Sequence, residues 1–319
     1  MGLWPFSKRL TGYGGVWTPS GVVLGRGNGP AIARRRRDAE LLALPLICSS
    51  LVALAIAPAT CAALLRSPLA RPNYRGRTIA CPLGMAVVLA ALIALGPLAL
   101  AQRLADRTLL LGDLGWVATF VLGVALLGLA DDALAGSARG WRGHLGALRA
   151  GRLDAGVVKA LGTLGLALFV TAGRAGGVGR SLVCAAVLAL ATNAFNLIDL
   201  RPGRALKALV VLGAALTIVS GELHPLWALG LFVGPVLVAG FYDLRERAML
   251  GDMGAGILGA LAGAWMVLTL STAGLVVALA VLVALNVFGE FRSISAVVER
   301  APILRHLDSL GRLHDALDA

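Results

Sequence analysis

The sequence predicts an all-α fold, a polytopic transmembrane helix bundle of about nine spans with a C-terminal amphipathic surface helix. Three observations carry that reading. Of the 319 residues, 58% are hydrophobic and only 14% are charged, against about 25% charged in ordinary soluble domains. Mean hydropathy is +0.83. Aromatics make up only 5% while Gly alone numbers 41, a composition suited to lipid-embedded helices, where small residues let backbones approach closely.

A membrane-spanning helix needs about 20 apolar residues. Nine stretches qualify or come near: 41–65, 79–102, 109–130, 156–173, 181–199, 205–220, 224–241, 253–271 and 273–290. Together they form a transmembrane domain over 41–290. Lys and Arg divide the connections into two sets. One holds Arg66, Arg71, Arg75 and Arg77, then Arg139, Arg142, Arg149 and Arg152, then Arg201, Arg204 and Lys207. Arg245 and Arg247 follow, then Arg292, Arg300, Arg305 and Arg312. The other holds Arg103, Arg107, Arg174 and Arg180. Seventeen against four places the first set on the cytoplasmic side.

Residues 1–40 dissent. They carry Lys8, Arg9, Arg26 and the run Arg34 to Arg37; alternation puts them outside and charge puts them inside. They read as a basic, disordered tail. At the other end, Ile303, Leu307, Leu310, Leu313 and Leu317 recur at helical spacing between charges. Residues 291–319 therefore read as an amphipathic helix on the cytoplasmic surface, or one packed on the bundle.

A net charge of +12 would suggest nucleic acid in a soluble protein. In a membrane protein it marks cytoplasmic loops and anionic lipid, and no nucleic-acid motif is visible. Cys48, Cys61, Cys81 and Cys184 lie in or beside apolar stretches without a CxxC pair, so they read as small buried hydrophobes rather than as disulfides or a zinc site.

Five polar clusters fall on the side assigned as cytoplasmic. Charge at membrane depth is costly and points to function. The first is Arg71-Pro72-Asn73-Tyr74-Arg75-Gly76-Arg77, either a plain basic loop or a phosphate-binding one. The second is Asp131-Asp132 at the end of the third span. Neighbours on a helix point about 100° apart, so one carboxylate faces a cavity and the other a lysine, an arginine or water. The third is Asn193-x-x-Asn196-x-x-Asp199, whose spacing of three keeps the groups roughly on one side of a helix. They need partners there, from neighbouring helices or from a metal–diphosphate ligand. Arg201, Arg204 and Lys207 follow and are natural phosphate partners. The fourth is Gly251-Asp252-Met253-Gly254. Asp252 there is either an N-cap or a Mg²⁺ ligand, and the glycine-rich backbone offers N–H groups to an anion. The fifth, Arg305, His306, Asp308, Arg312 and His314, is explained by a surface helix alone. Carboxylates plus phosphate oxygens and water are the ligand set Mg²⁺ prefers.

In order, these motifs resemble the polyprenyl-phosphate N-acetylhexosamine-1-phosphate transferase superfamily, which includes phospho-N-acetylmuramoyl-pentapeptide transferase. The likeness covers roughly residues 66–290. It rests on Asn73–Gly84, Asp131-Asp132, Asn193-x-x-Asn196-x-x-Asp199 and Gly251-Asp252-x-Gly254. It implies a membrane enzyme that transfers a sugar-1-phosphate from a UDP-sugar to a polyprenyl phosphate with Mg²⁺, releasing UMP at the cytoplasmic face of the cell membrane, with a homodimer allowed. On this resemblance Asp131, Asp132, Asp199 and Asp252 are the catalytic set, with Asp252 and Asp199 holding the metal. Arg71, Asn73, Arg75, Asn193, Asn196, Arg204, Lys207 and Gly254 bind substrate. The chain departs from the family at Pro202, where a second acid is usual, and it lacks the His-rich loop and a tenth span; only His306 and His314 lie near that loop's place. An inactive relative serving as a scaffold, and a transporter, are the rival readings. A transporter would keep its charges near mid-membrane, often with inverted repeats, whereas these acids sit at span ends and no repeat is visible.

Overall fold

The computed structural model describes residues 41–134, 155–174 and 176–311. The basic tail over 1–40, the arginines Arg139, Arg142, Arg149 and Arg152, and Arg312, Leu313, His314 and Leu317 lie outside the described residues.

Apolar runs become helices because a backbone in lipid must satisfy its own hydrogen bonds. The order is α1 (Leu44–Leu65), β1 (Arg71–Pro72), β2 (Thr78–Ile79), α2 (Gly84–Ala105), α3 (Leu114–Leu134), α4 (Ala155–Thr171) and α5 (Gly177–Ile198). It continues with α6 (Arg204–Ser220), α7 (His224–Leu244), α8 (Gly251–Thr269), α9 (Thr272–Phe291), α10 (Ile294–Arg300) and α11 (Pro302–Ser309). Local signals set several ends. Pro45 and Pro225 sit in the first turns of α1 and α7, where a missing N–H costs nothing. Ser271 caps α9 by accepting from Gly274 N–H at 3.2 Å.

Among the described residues, seven helices are long and apolar enough to cross a membrane: α1, α2, α3, α5, α7, α8 and α9. Nine apolar stretches were expected as spans. The other two, α4 and α6, are 17 residues each, or about 25 Å at 1.5 Å per residue, short of the ~30 Å hydrocarbon core. α6 also begins with Arg204 and Lys207. α4 nevertheless runs the length of α3. Lys159 near its start bonds Asp131, and Arg174 just beyond its end meets Asp113.

α8 is the hub, buried along nearly its whole length and packed chiefly on α5 and α3. Glycines set those approaches. A Cβ on Gly128 would lie 2.6 Å from Met253 Cα, and one on Gly84 would lie 2.6 Å from Gly254 N. α9, in contrast, exposes Val276, Val277, Val281, Val283 and Leu285. An apolar face left uncovered on a helix of this length belongs in lipid.

Two features differ from expectation. The loop at 71–79 is a small antiparallel hairpin, Arg71 opposite Ile79 and Pro72 opposite Thr78. Where a single amphipathic helix is expected over 291–319, the described residues up to 311 form two short helices, α10 and α11. Pro302 lacks an N–H and pushes the preceding Ala301 into extended backbone (φ −94°, ψ 110°), which ends α10 and starts a new helix.

Candidate functional site

One end of the bundle gathers the ends of α3, α5 and α7 and the starts of α4, α6 and α8 around a cavity of about 240 Å³. Its lining includes Arg71, Asn73, Tyr74, Cys81, Asp132, Asn196, Asp199, Arg201, Asp243, Glu246 and Asp252. Four of the five polar clusters therefore contribute to a single space.

The base of the cavity is built by Asp132. Its carboxylate accepts Asp252 N–H at 3.1 Å and Met253 N–H at 2.9 Å. It thus caps α8 from another helix, satisfying N–H groups that a helix start leaves unpaired and placing negative charge at the positive end of the dipole. The cap of α8 is Asp132, not Asp252, and those two amides are already taken. Gly254 N–H bonds Leu250 O, so Gly254 acts as the close-contact point with α2.

Asp131 points away from Asp132, as the 100° step requires. It meets Lys159 at 3.1 Å, and the same ammonium reaches Asp252 at 2.6 Å. Lys159 is largely buried and holds Asp252 at the cavity rim. Asp252 keeps about half its side chain exposed (46%), leaving an oxygen surface available to a ligand.

Asp199 follows the last residue of α5. Its burial, then the Asp243 and Asp252 carboxylates, push its acid well above the usual carboxylate range, against the pull of Arg204. Beside it, Asn196 Oδ1 is buried and has no hydrogen-bond partner. Asp243 accepts Gly203 N–H at 2.6 Å and so fixes the Pro202-Gly203 turn behind Asp199. Gly203 takes φ +73° there, a left-handed conformation that favours glycine.

The hairpin closes another wall. Asn73 Oδ1 accepts the N–H groups of Arg75 at 2.9 Å and Arg77 at 3.0 Å, which shapes the turn. Glu246 ties the hairpin to the α7–α8 connection. It accepts Tyr74 O–H at 2.8 Å and pairs with Arg75 Nε at 3.1 Å. Glu246 itself sits at φ +53°, a strained value for a side-chain-bearing residue that these contacts offset. Past β2, Ala80 O accepts Met249 N–H and Met249 O accepts Leu83 N–H, both at 2.8 Å. Arg71 donates to the Asp132 carbonyl, and Arg201 lies over the Tyr74 ring at 4.9 Å. Cys81 also lines the cavity, but burial and then Asp132 push its thiol up to about 12, so it is no thiolate nucleophile at neutral pH.

Of the residues expected at the site, Arg71, Asn73, Asp132, Asn196, Asp199 and Asp252 line the cavity, and six others are engaged elsewhere. Asp131 is on Lys159. Asn193 donates to Asn286 Oδ1 at 2.6 Å on α9. Arg75 is on Glu246 and Tyr74. Gly254 is in the α2–α8 contact. Arg204 forks onto Asp308 at 2.8 and 3.0 Å, and Lys207 donates to the Leu307 and Asp308 carbonyls at the end of α11. Those two cations anchor the C-terminal helices.

Sequence reasoning missed Lys159, Asp243 and Glu246. A signal existed for the first two. Lys159 is a lone cation inside an apolar run, and Asp243 closes a span as Asp132 does. Glu246 carried no signal.

Comparison of the chain with models of known protein families and with curated proteins finds no match.

The donor set fits a divalent cation completed by a substrate. Five carboxylates line the cavity against the guanidinium groups of Arg71 and Arg201. Asp199 is under like-charge pressure and Asn196 Oδ1 is orphaned. Among the described residues, no three of His, Cys, Asp and Glu form a metal cage by themselves. Mg²⁺ does not need one, since it binds through one or two carboxylates plus phosphate oxygens and water.

Proposed function

We propose that this protein is a membrane transferase that moves a sugar-1-phosphate from a UDP-N-acetylhexosamine-type donor to a polyprenyl phosphate, with Mg²⁺, in cell-envelope polysaccharide synthesis. The observation that supports it best is the convergence of Asp132, Asn196, Asp199 and Asp252 with Arg71 and Arg201 on one cavity. An acid-lined space repels a diphosphate unless a cation bridges the two. At about 240 Å³ it is below the ~300–1,000 Å³ of a whole-ligand pocket. It suits the reacting phosphates, with sugar, uridine and lipid extending outward.

In this reading an oxygen of the lipid phosphate forms a bond to the β-phosphorus, and the bond to the UMP oxygen breaks. Such reactions depend on positioning and charge stabilisation more than on covalent help. Asp199 and Asp252 would hold Mg²⁺, which when bound offsets charge on the diphosphate and on the departing UMP. Lys159 orients Asp252. Asp132 fixes the start of α8 on which Asp252 rides. Arg71 and Arg201 would take phosphate oxygens, and Asn196 Oδ1 would accept a donor from the sugar. A lipid phosphate has a second pKa of about 6, so it attacks as a dianion at pH 7 without a strong base.

We extend the reading to topology. α4 and α6 complete nine crossings, and the cavity end faces the cytoplasm, where the Lys and Arg of the loops accumulate. Purified protein given UDP-N-acetylglucosamine, or UDP-N-acetylmuramoyl-pentapeptide, together with undecaprenyl phosphate should form lipid-linked sugar phosphate and UMP only with Mg²⁺. Binding of labelled UDP-sugar without turnover would instead identify an inactive scaffold.

A further inference from the structure

The other end of the bundle carries a second cavity, of about 610 Å³. Its polar lining is Asp113, Arg174, Arg180, Ser181 and His224, with Cys184 on an apolar side. It lies between the start of α3, the α4–α5 connection and the starts of α5 and α7. These are the opposite ends of the helices that frame the acid cavity.

Its charge is reversed. Two guanidinium groups and an imidazole face one carboxylate among the described residues. Asp113 is spread thinly. It pairs with Arg174 at 3.6 Å and His224 at 3.6 Å, and accepts Trp116 Nε1–H at 2.8 Å. Arg174 stacks on the Trp116 ring, 4.4 Å from its centroid, which holds the planar group in place. Arg180 donates to the neutral acceptors Thr272 Oγ1 at 2.8 Å and Leu270 O at 3.3 Å, so among the described residues no carboxylate pairs with it. Positive charge is thus fixed in position around a space large enough for a phosphate headgroup.

A third cavity, of about 500 Å³, adjoins it and shares Arg174 and Ser181 in its lining. Its walls are otherwise mostly apolar, among them Leu168, Gly177, Val178 and Leu182. Val178 and Leu182 are widely exposed on a helix of membrane-crossing length, so this groove opens to the bilayer. A cationic pocket that continues through Arg174 into a hydrocarbon-facing groove matches an amphiphile with an anionic head.

We propose that this end of the bundle binds an anionic phospholipid, with the phosphate headgroup held by Arg174 and Arg180 and a hydrocarbon chain lying in the groove along Leu168, Val178 and Leu182. The site is independent of the transferase reading. Guanidinium–phosphate contacts are charge-assisted and bidentate, and apolar chain burial adds to them.

The test is native mass spectrometry of the full-length protein titrated with phosphatidylglycerol, phosphatidylcholine or inorganic phosphate. Phosphatidylglycerol should be retained at about tenfold lower concentration than phosphatidylcholine, because the choline ammonium cancels the net negative charge that the two guanidinium groups select, and one charge-assisted contact is worth roughly a tenfold change or more. Arg174→Gln with Arg180→Gln should erase that preference. Ser181→Trp, which fills the junction of pocket and groove, should weaken lipid retention without touching either arginine, and it keeps the test decisive where the double variant does not fold. Arg103→Gln, at the same end but off the pocket, should change nothing. Equal retention of both lipids, or a preference that survives both the double variant and Ser181→Trp, overturns the proposal. Millimolar inorganic phosphate that occupies the pocket with no lipid preference assigns it to a free anion and overturns the lipid as well.

Discussion

The two ends of the bundle share helices but not chemistry. Where α3, α5, α7 and α8 meet the acid cavity, carboxylates dominate the lining although the nearby connections are rich in arginine. At the far end the connections hold only four arginines, yet two of them, Arg174 and Arg180, are concentrated in one pocket. Loop charge and cavity charge therefore carry different information. The loops report orientation in the membrane, while side chains drawn into the bundle report what each end can bind. The same contrast appears among the cations of the acid end. Arg71 lines the cavity, and Arg201 lines it while pairing with Glu299 of α10 at 3.3 Å, whereas Arg204 and Lys207 turn to Asp308 and the end of α11.

The largest effects belong to the acid end. Asp252→Asn should cut turnover by about 10³-fold or more, the range seen when an electrostatic contact at a reacting centre is removed, with expression and melting temperature little changed. Gly128→Leu comes next. Its side chain would drive into Met253 and Asp252, and overpacking of this kind costs about 1–3 kcal/mol. A lowered melting temperature and lost activity check it.

Asp199→Asn separates metal from fold. The Asp199 acid is raised by burial and by Asp243 and Asp252. The folded state therefore holds its proton to higher pH than the unfolded chain, and stability is lost as pH rises from the ordinary carboxylate range through that raised value. At pH 7 in chelator, the Asn variant should melt higher than wild type. With Mg²⁺ the order should reverse, because only wild type gains binding energy. Thermal melts in the two buffers decide it.

Arg204→Ala and Asp308→Asn should each cost about 1–3 kcal/mol, since the fork is nearly enclosed (10% and 12% exposed) and removing one partner strands the other. A double-mutant cycle should show coupling, while activity falls less than in Asp252→Asn. Smallest of all, Arg103→Gln should stay within about 0.5 kcal/mol of wild type.

Hydropathy made the helices legible. All nine expected apolar stretches are helical, because in lipid a long apolar run has no other structure available to its backbone. Length divides them, since α4 and α6 at 17 residues are shorter than the seven long helices at 19 to 22. The 71–79 hairpin was not legible, because Glu246 and Met249, some 170 residues on, hold it in place. Helix geometry separated Asp131 from Asp132 without saying which would face the cavity. The split between Arg201 and Arg204 could not be read at all, since it depends on where α11 returns Asp308. Asn196 and Asn193 show the limit of spacing arguments: three residues apart, one lines the cavity and the other meets Asn286 on α9.

The most direct measurement of the central claim is UMP release by the purified protein, followed across a Mg²⁺ titration in the presence of undecaprenyl phosphate and a UDP-N-acetylhexosamine, for wild type and Asp252→Asn side by side. Saturable, chelator-sensitive release by wild type, with near-background release by the variant, is the expected result. Release that persists in chelator, or that is equal in the two proteins, would contradict a phosphoryl-transfer site at the acid end of the bundle.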